Sequence, residues 1–425
     1  MTVVGFAGMT HLGLVSAAGV ASKGFRTVGY DANTQLVAEL KAGQLPVFEP
    51  GLDDLVRDKG ERLSFTSAVG DLGPCDVVYV APDIPTDADG RSDVAVIHAL
   101  IERIVPALNP SAVLVVLSQV EPGFTRALQA PALRQRYYQV ETLVFGRAVE
   151  RTTQPERYIV GCADPRAPLS PHLATVLRAF DCPVLPMRYE SAELAKIAIN
   201  FCLVSSVSVA NTLAEVCEAI GADWSEIVPA LKLDRRIGAY SYLKPGLGIA
   251  GGNLERDLAT VERIAEAKGT DARVVQAWKA NSRHRRDWAA RTIKQVVLDA
   301  HPDATLAIWG LAYKENTHSI KNSPSLATID QLPDIPLRLH DPMVEAGVVG
   351  RVKAQGFARE LDALDGANAL MILTPWPQYA KIAPGDIAAR LKGKVVLDPY
   401  AVLDADAAAA AGLAYYTLGR SAQAL

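Results

Sequence analysis

Residues 191–219 contain neither glycine nor proline, and their apolar side chains recur at helical spacing. The pattern predicts one helix of about 29 residues, against ~11–12 for an average globular helix. A helix of that length bridges domains or forms a seam between two copies. On both sides of it, short β-rich runs alternate with helical runs. Thr2–Phe6, Arg26–Tyr30, Val77–Ala81 and Ala112–Leu117 read as strands. His11–Lys23, closed by Gly24, and Val94–Val105, with Asp93 as N-cap, read as helices between them. A second alternation has strands at Thr305–Gly310, Leu337–Asp341, Ala369–Thr374 and Val395–Asp398. Strand–helix–strand at this spacing gives parallel sheets. The expected fold is therefore α/β, with two Rossmann-like doubly wound domains joined by a long central helix. The expected division is 1–185, 186–299 and 300–425.

A chain of 425 residues is too long for one ordinary core, and 49% hydrophobic residues suffice to fill two or three. The net charge of −4 lacks the basic balance of a general nucleic-acid or anionic-membrane binder, so neither partner is expected. Five cysteines, with no CxxC and no Cys/His cluster, suggest neither disulfides nor a metal site. They read as reduced, buried thiols of a cytoplasmic protein. The first residues, MTVVGFAGM, read as a strand rather than a signal peptide. No uninterrupted apolar run reaches the ~18–20 residues of a membrane span.

Gly8-Met9-Thr10-His11-Leu12-Gly13 follows the first strand and opens the first helix, where a dinucleotide fingerprint belongs. The first glycine makes the tight turn and the last lets helix pack on strand. Thr10 stands at the middle glycine, where it either crowds a pyrophosphate or bonds it through the hydroxyl. Asp31 ends the second strand, the place of an acid that binds an adenine-ribose 2′-OH and repels a 2′-phosphate. The expected cofactor is NAD rather than NADP.

Further motifs follow in order: Glu49-Pro50-Gly51-Leu52, Pro82 through Asp93, Ser118 through Thr125, Glu141 through Ala148, Glu193-Leu194-Ala195-Lys196 with Asn200, and Asn211 through Cys217. Arg236-Ile237-Gly238 precedes a glycine loop. Gly310-Leu311-Ala312-Tyr313-Lys314, Thr317 through Pro324, Asp341-Pro342 and Thr374-Pro375-Trp376 complete the series. Together they resemble the UDP-glucose/GDP-mannose dehydrogenase family across nearly the whole chain. The resemblance implies NAD-dependent oxidation of a nucleotide sugar, a UDP-sugar first among candidates. The apolar residues of the 191–219 helix, Leu194, Ile197, Ile199, Leu203, Val207, Leu213 and Val216, extend around more of it than one domain face needs and predict a homodimer built on it. Members of the family oxidise C6 of the sugar to a carboxylate with two NAD, holding the intermediate on a cysteine. Carried over by position, Lys196 and Asn200 face the reacting sugar, Glu141 lies near the hydrolytic water, and Asp257 helps place a water or base. Gln119, Arg256 and Lys321 fall at cofactor positions, and Arg236, Tyr242, Gly251 and Lys314 at substrate positions.

The chain departs from the family where the chemistry is hardest. The family loop ends Gly-Gly-Ser-Cys-Phe-Pro-Lys-Asp. Here Ala250 takes one glycine position, and Gly251-Gly252-Asn253-Leu254-Glu255-Arg256-Asp257 follows it. Asn253 stands at the cysteine, and an amide cannot attack an aldehyde as a thiolate does. Three readings remain open. The chain stops at a carbonyl after one oxidation; it reaches a uronic acid through a hydrated aldehyde with Glu141 as base; or it binds a nucleotide sugar without catalysis.

Overall fold

The computed structural model describes residues 2–421 apart from 59–60, 86, 88–90, 130–132, 134, 142 and 250–251. The chain divides into two compact units, Met1–Ile199 and Asn200–Leu425, with the boundary inside one continuous helix.

The first unit is built on an eight-stranded sheet. Its strands are β1 (Val3–Ala7), β2 (Arg26–Tyr30), β3 (Leu63–Thr66), β4 (Val77–Val80), β5 (Val113–Val116), β6 (Gln135–Gln139), β7 (Tyr158–Cys162) and β8 (Val184–Arg188), ordered β3-β2-β1-β4-β5-β6-β7-β8. β4 and β5 read VVYV and VLVV and are buried at every residue. Continuous apolar runs of this kind belong in parallel sheets covered on both faces. Helix α1 (His11–Ser22) packs on the sheet through Leu12, Leu14, Val15, Ala17 and Ala18. The sheet is not wholly parallel: β6 pairs antiparallel with β7, Tyr138 opposite Gly161. The strands expected from the sequence, β1, β2, β4 and β5, pair parallel as expected, and the antiparallel pair joins two strands outside that expectation.

The second unit contains a six-stranded parallel sheet: β9 (Leu306–Trp309), β10 (Leu337–His340), β11 (Ala354–Gly356), β12 (Ala369–Ile372), β13 (Val395–Leu397) and β14 (Ala414–Tyr416), ordered β11-β10-β9-β12-β13-β14. Its core gathers Ile308, Trp309, Leu339, Met371 and Leu397.

The two sheets are joined by α2, a 32-residue helix over Tyr189–Ile220, unbroken at Asn200. By length and composition alone α2 qualifies as a membrane span, with mean hydropathy 1.7 over its most apolar window. That differs from the sequence reading because averaging absorbs its scattered Ser and Asn residues. The polar residues are engaged in the fold. Glu193 accepts backbone N–H groups of Gly123 and Thr125, and Asn211 accepts from Gly246. Two further helices matter below: α3 (Trp224–Leu233) and α4 (Gly252–Lys268). Cys75, Cys162 and Cys217 are buried thiols, but Cys182 is half-buried and Cys202 exposed, so burial of all five was too broad an expectation.

Candidate active site

In the first unit the site begins at the turn after β1. Gly8 has φ +94°, and a Cβ there would lie 2.8 Å from the Pro82 nitrogen. A Cβ on Gly13 would lie 1.8 Å from the Gly8 carbonyl. These two positions need glycine, and the close approach they allow is what a dinucleotide turn requires. The Thr10 hydroxyl accepts from the Asp83 N–H at 2.8 Å and donates to the Ala81 carbonyl at 3.4 Å. Asp31 accepts from Met9 N–H at 2.8 Å and Asn33 N–H at 2.9 Å, so its carboxylate closes the turn from the end of β2.

Glu141 follows β6 and lies 3.7 Å from the Lys196 ammonium on α2. Burial pushes the Glu141 carboxyl above the usual glutamate range, and the Asp83 charge adds to this; Lys196 and His11 pull the other way. The Glu141 segment is bolted down by a pair that sequence reading left without a role. Buried Glu49 meets His11 Nε2 at 2.9 Å and accepts the Gly146 N–H at 2.9 Å, while the His11 ring stacks on Phe145 at 4.3 Å. Glu49 was visible only as part of Glu49-Pro50-Gly51-Leu52. Glu193, fully buried one turn before Lys196, fixes the loop after Gln119 through its bonds to Gly123 and Thr125 at 2.6 and 2.8 Å.

In the second unit Asn200 Nδ2 donates to Asp257 Oδ2 at 2.5 Å, and Arg256 Nε lies 3.4 Å from the other Asp257 oxygen. All three are buried. Asn253 is exposed in the first turn of α4. The preceding loop is anchored where Ile249 N–H meets Ser282 Oγ at 2.8 Å, and Gly248, at φ +79°, has Ser282 against it. Gly251 lies outside the described residues. Arg236 is exposed and paired with Asp234 at 2.6 Å; Tyr242 is exposed; Lys314 lies over the Tyr313 ring at 5.6 Å. Lys321 is exposed on the segment after β9. A cavity of about 680 Å³, missed in the sequence, opens beside α3 and the loops after β13 and β14. Trp224, Tyr400, Lys232 and Lys244 are among the residues that line it.

A glycine turn at the switch point of a doubly wound sheet, a buried carboxyl beside a lysine, and a second doubly wound sheet define a nucleotide-dependent dehydrogenase. The chain belongs to the UDP-glucose/GDP-mannose dehydrogenase family: its NAD-binding, central and UDP-binding domain models match residues 2–179, 190–283 and 307–405. It is accordingly an NAD-dependent oxidoreductase of the nucleotide-sugar dehydrogenase family. It is 28% identical to the UDP-glucose 6-dehydrogenase of Pseudomonas aeruginosa, over 97% of this chain and 96% of that protein. It is equally 28% identical to UDP-glucose 6-dehydrogenase TuaD of Bacillus subtilis, over 99% and 94%. Among solved structures, a UDP-glucose dehydrogenase from Pyrobaculum islandicum superposes with TM-score 0.85 at 28% identity, covering 99% of this chain and 98% of that one.

Proposed function

We propose that this chain oxidises one hydroxyl of a UDP-sugar to a carbonyl and uses no thioester. The observation that carries the reading is Asn253, exposed at the first turn of α4, where the family resemblance calls for the cysteine. A nucleophilic thiol needs a favoured thiolate. Four of the five thiols have the opposite environment: burial pushes Cys75 up to about 12 and raises Cys162, Cys182 and Cys217. Cys202 is exposed two residues beyond buried Asn200, so the two side chains point to different sides of α2.

The proposed division of labour follows domains 1–185, 186–299 and 300–425. Gly8, Thr10, Gly13, Asp31 and Gln119 hold NAD, with Arg256 and Lys321 at the cofactor positions that the resemblance gives; the turn fits because Gly8 makes the tight bend and Gly13 lets α1 pack, a Cβ at either striking Pro82 or the Gly8 carbonyl. Bound NAD accepts the hydride leaving the sugar carbon. The Asp257 carboxylate, held by Asn200, takes the hydroxyl proton through a water, and the Lys196 ammonium stabilises the negative charge that develops on the sugar oxygen. Arg236, Tyr242, Gly251 and Lys314 take the sugar diphosphate, and the Trp224–Tyr400 cavity suits its base. Asn253 replaces a covalent hold on the carbonyl with hydrogen bonds, typically worth ~0.5–1.5 kcal/mol each. A second reading, oxidation onward to a uronic acid, is favoured by Glu141, whose raised pKa suits a base for a hydrated aldehyde.

The test is incubation of the purified protein with NAD and a panel of UDP- and GDP-sugars, followed by mass spectrometry. A UDP-sugar that loses two mass units supports the reading. Turnover confined to GDP-sugars, or a product gaining fourteen, contradicts it.

A further inference from the structure

We propose that Asp83 sets the cofactor affinity of this enzyme by competing with the NAD pyrophosphate for the N-terminus of α1. The inference rests on the reading that α1 receives the dinucleotide.

The first turn of α1 contains no acidic residue, and its N-cap, Thr10, makes no side-chain bond to the helix. Its first N–H groups are therefore left to outside acceptors, and they carry the positive end of the helix dipole. One acceptor is already present: Asp83 Oδ2 lies 3.4 Å from the Leu12 nitrogen. The contact is long and Asp83 is exposed, so the carboxylate is displaceable rather than built in.

Its position is nevertheless fixed from behind. The Asp83 N–H donates to Thr10 Oγ1 at 2.8 Å, and that hydroxyl donates on to the Ala81 carbonyl. Thr10 at the middle position of the turn and Asp83 beyond β4 thus form one device. A hydroxyl where the dinucleotide fingerprint has a glycine holds the residue whose carboxylate faces the helix start. The Asp83 charge also reaches Glu141, whose carboxyl it helps to raise.

A pyrophosphate arriving at this helix meets a carboxylate on the same N–H. It either displaces Asp83, losing the existing bond, or binds beside it against like-charge repulsion. Both weaken binding, and both apply equally to NAD and NADH. Asp83 therefore lowers the affinity for both forms of the cofactor.

The experiment is calorimetric titration of NAD into the full-length wild type and the Asp83→Asn and Asp83→Ala variants, at low and at high salt. Both variants should bind NAD roughly three- to tenfold more tightly at low salt. The gap should narrow as salt screens the charge. Adenosine, which lacks the pyrophosphate, should bind wild type and variants alike. Misfolding cannot mimic a gain in affinity. Variants that bind NAD as wild type does, or more weakly, overturn this inference alone. Absence of NAD binding by wild type and variants overturns the placement of the cofactor on α1, and this inference with it.

Discussion

Asp31 shows how much, and how little, one residue says. An acid ending the second strand reads as a ribose ligand, and it stands where that reading puts it. Its carboxylate already accepts two backbone N–H groups. Asp341, at the end of β10, repeats the arrangement: it accepts from Leu311 at 2.6 Å and Met343 at 2.8 Å, beside Gly310 at φ +98°. The acid thus closes the glycine turn in both sheets, and any ligand contact is a second duty. Glu141 permits a sharper prediction. Its folded-state pKa is raised, so the buried carboxyl costs nothing below the ordinary glutamate value of about 4.3 and costs stability as pH rises through the folded value. Glu141→Gln should melt with the wild type near pH 4 and above it at pH 8. Scanning calorimetry at the two pH values checks this; a variant less stable at pH 8 would show that the Lys196 pair outweighs burial. The loop carrying Gly251 was legible as a motif, while the Asp83–Thr10 and His11–Glu49 contacts were not, because they join residues some 38 to 73 positions apart.

Elements were legible where burial is symmetric. Arg26–Tyr30 matches its expected limits, and β4, β5, β9 and β12 lie within theirs, since an apolar run covered on both faces has one reading. β3, β6, β7, β8, β11 and β14 were missed. β6, β8 and β11 read QRYYQ, VLPMR and AQG, polar, proline-bearing or three residues long, and β8 is half exposed; β3 and β14 are only four and three residues long, and β7, YIVGC, was missed although it is buried after its first residue. The expected helix over 191–219 extends a turn's fraction at each end to Tyr189–Ile220. Its exposure pattern bears on the proposed dimer. Val209, Leu213, Val216 and Ile220 recur every three or four residues and are 48%, 42%, 45% and 70% exposed. A stripe of that spacing on one helix suits a partner copy. Light scattering should give twice 45.4 kDa for the wild type. Leu213→Asp with Val216→Asp should give the single mass with the fold retained. A monomeric wild type at micromolar concentration contradicts the seam.

At the scale of the molecule, one architecture is used twice. The order β3-β2-β1-β4-β5-β6 in the first sheet is repeated as β11-β10-β9-β12-β13-β14 in the second. Both place a crevice where the strand order reverses, the position at which such sheets bind ligands. The family models give NAD to the first sheet and UDP to the second. With that scaffold retained, the altered loop residue Asn253 carries the proposed difference in outcome. A carbonyl held by hydrogen bonds alone escapes before a second cofactor arrives, so most turnovers should end after one oxidation. The direct measurement is stoichiometry with the true UDP-sugar: NADH formed per sugar consumed, with a hydrazine present to trap free carbonyl. One NADH per sugar and a trapped carbonyl are predicted, and Asn253→Cys should raise the share of acid. Two NADH per sugar, with a uronic acid and nothing trapped, would contradict the account.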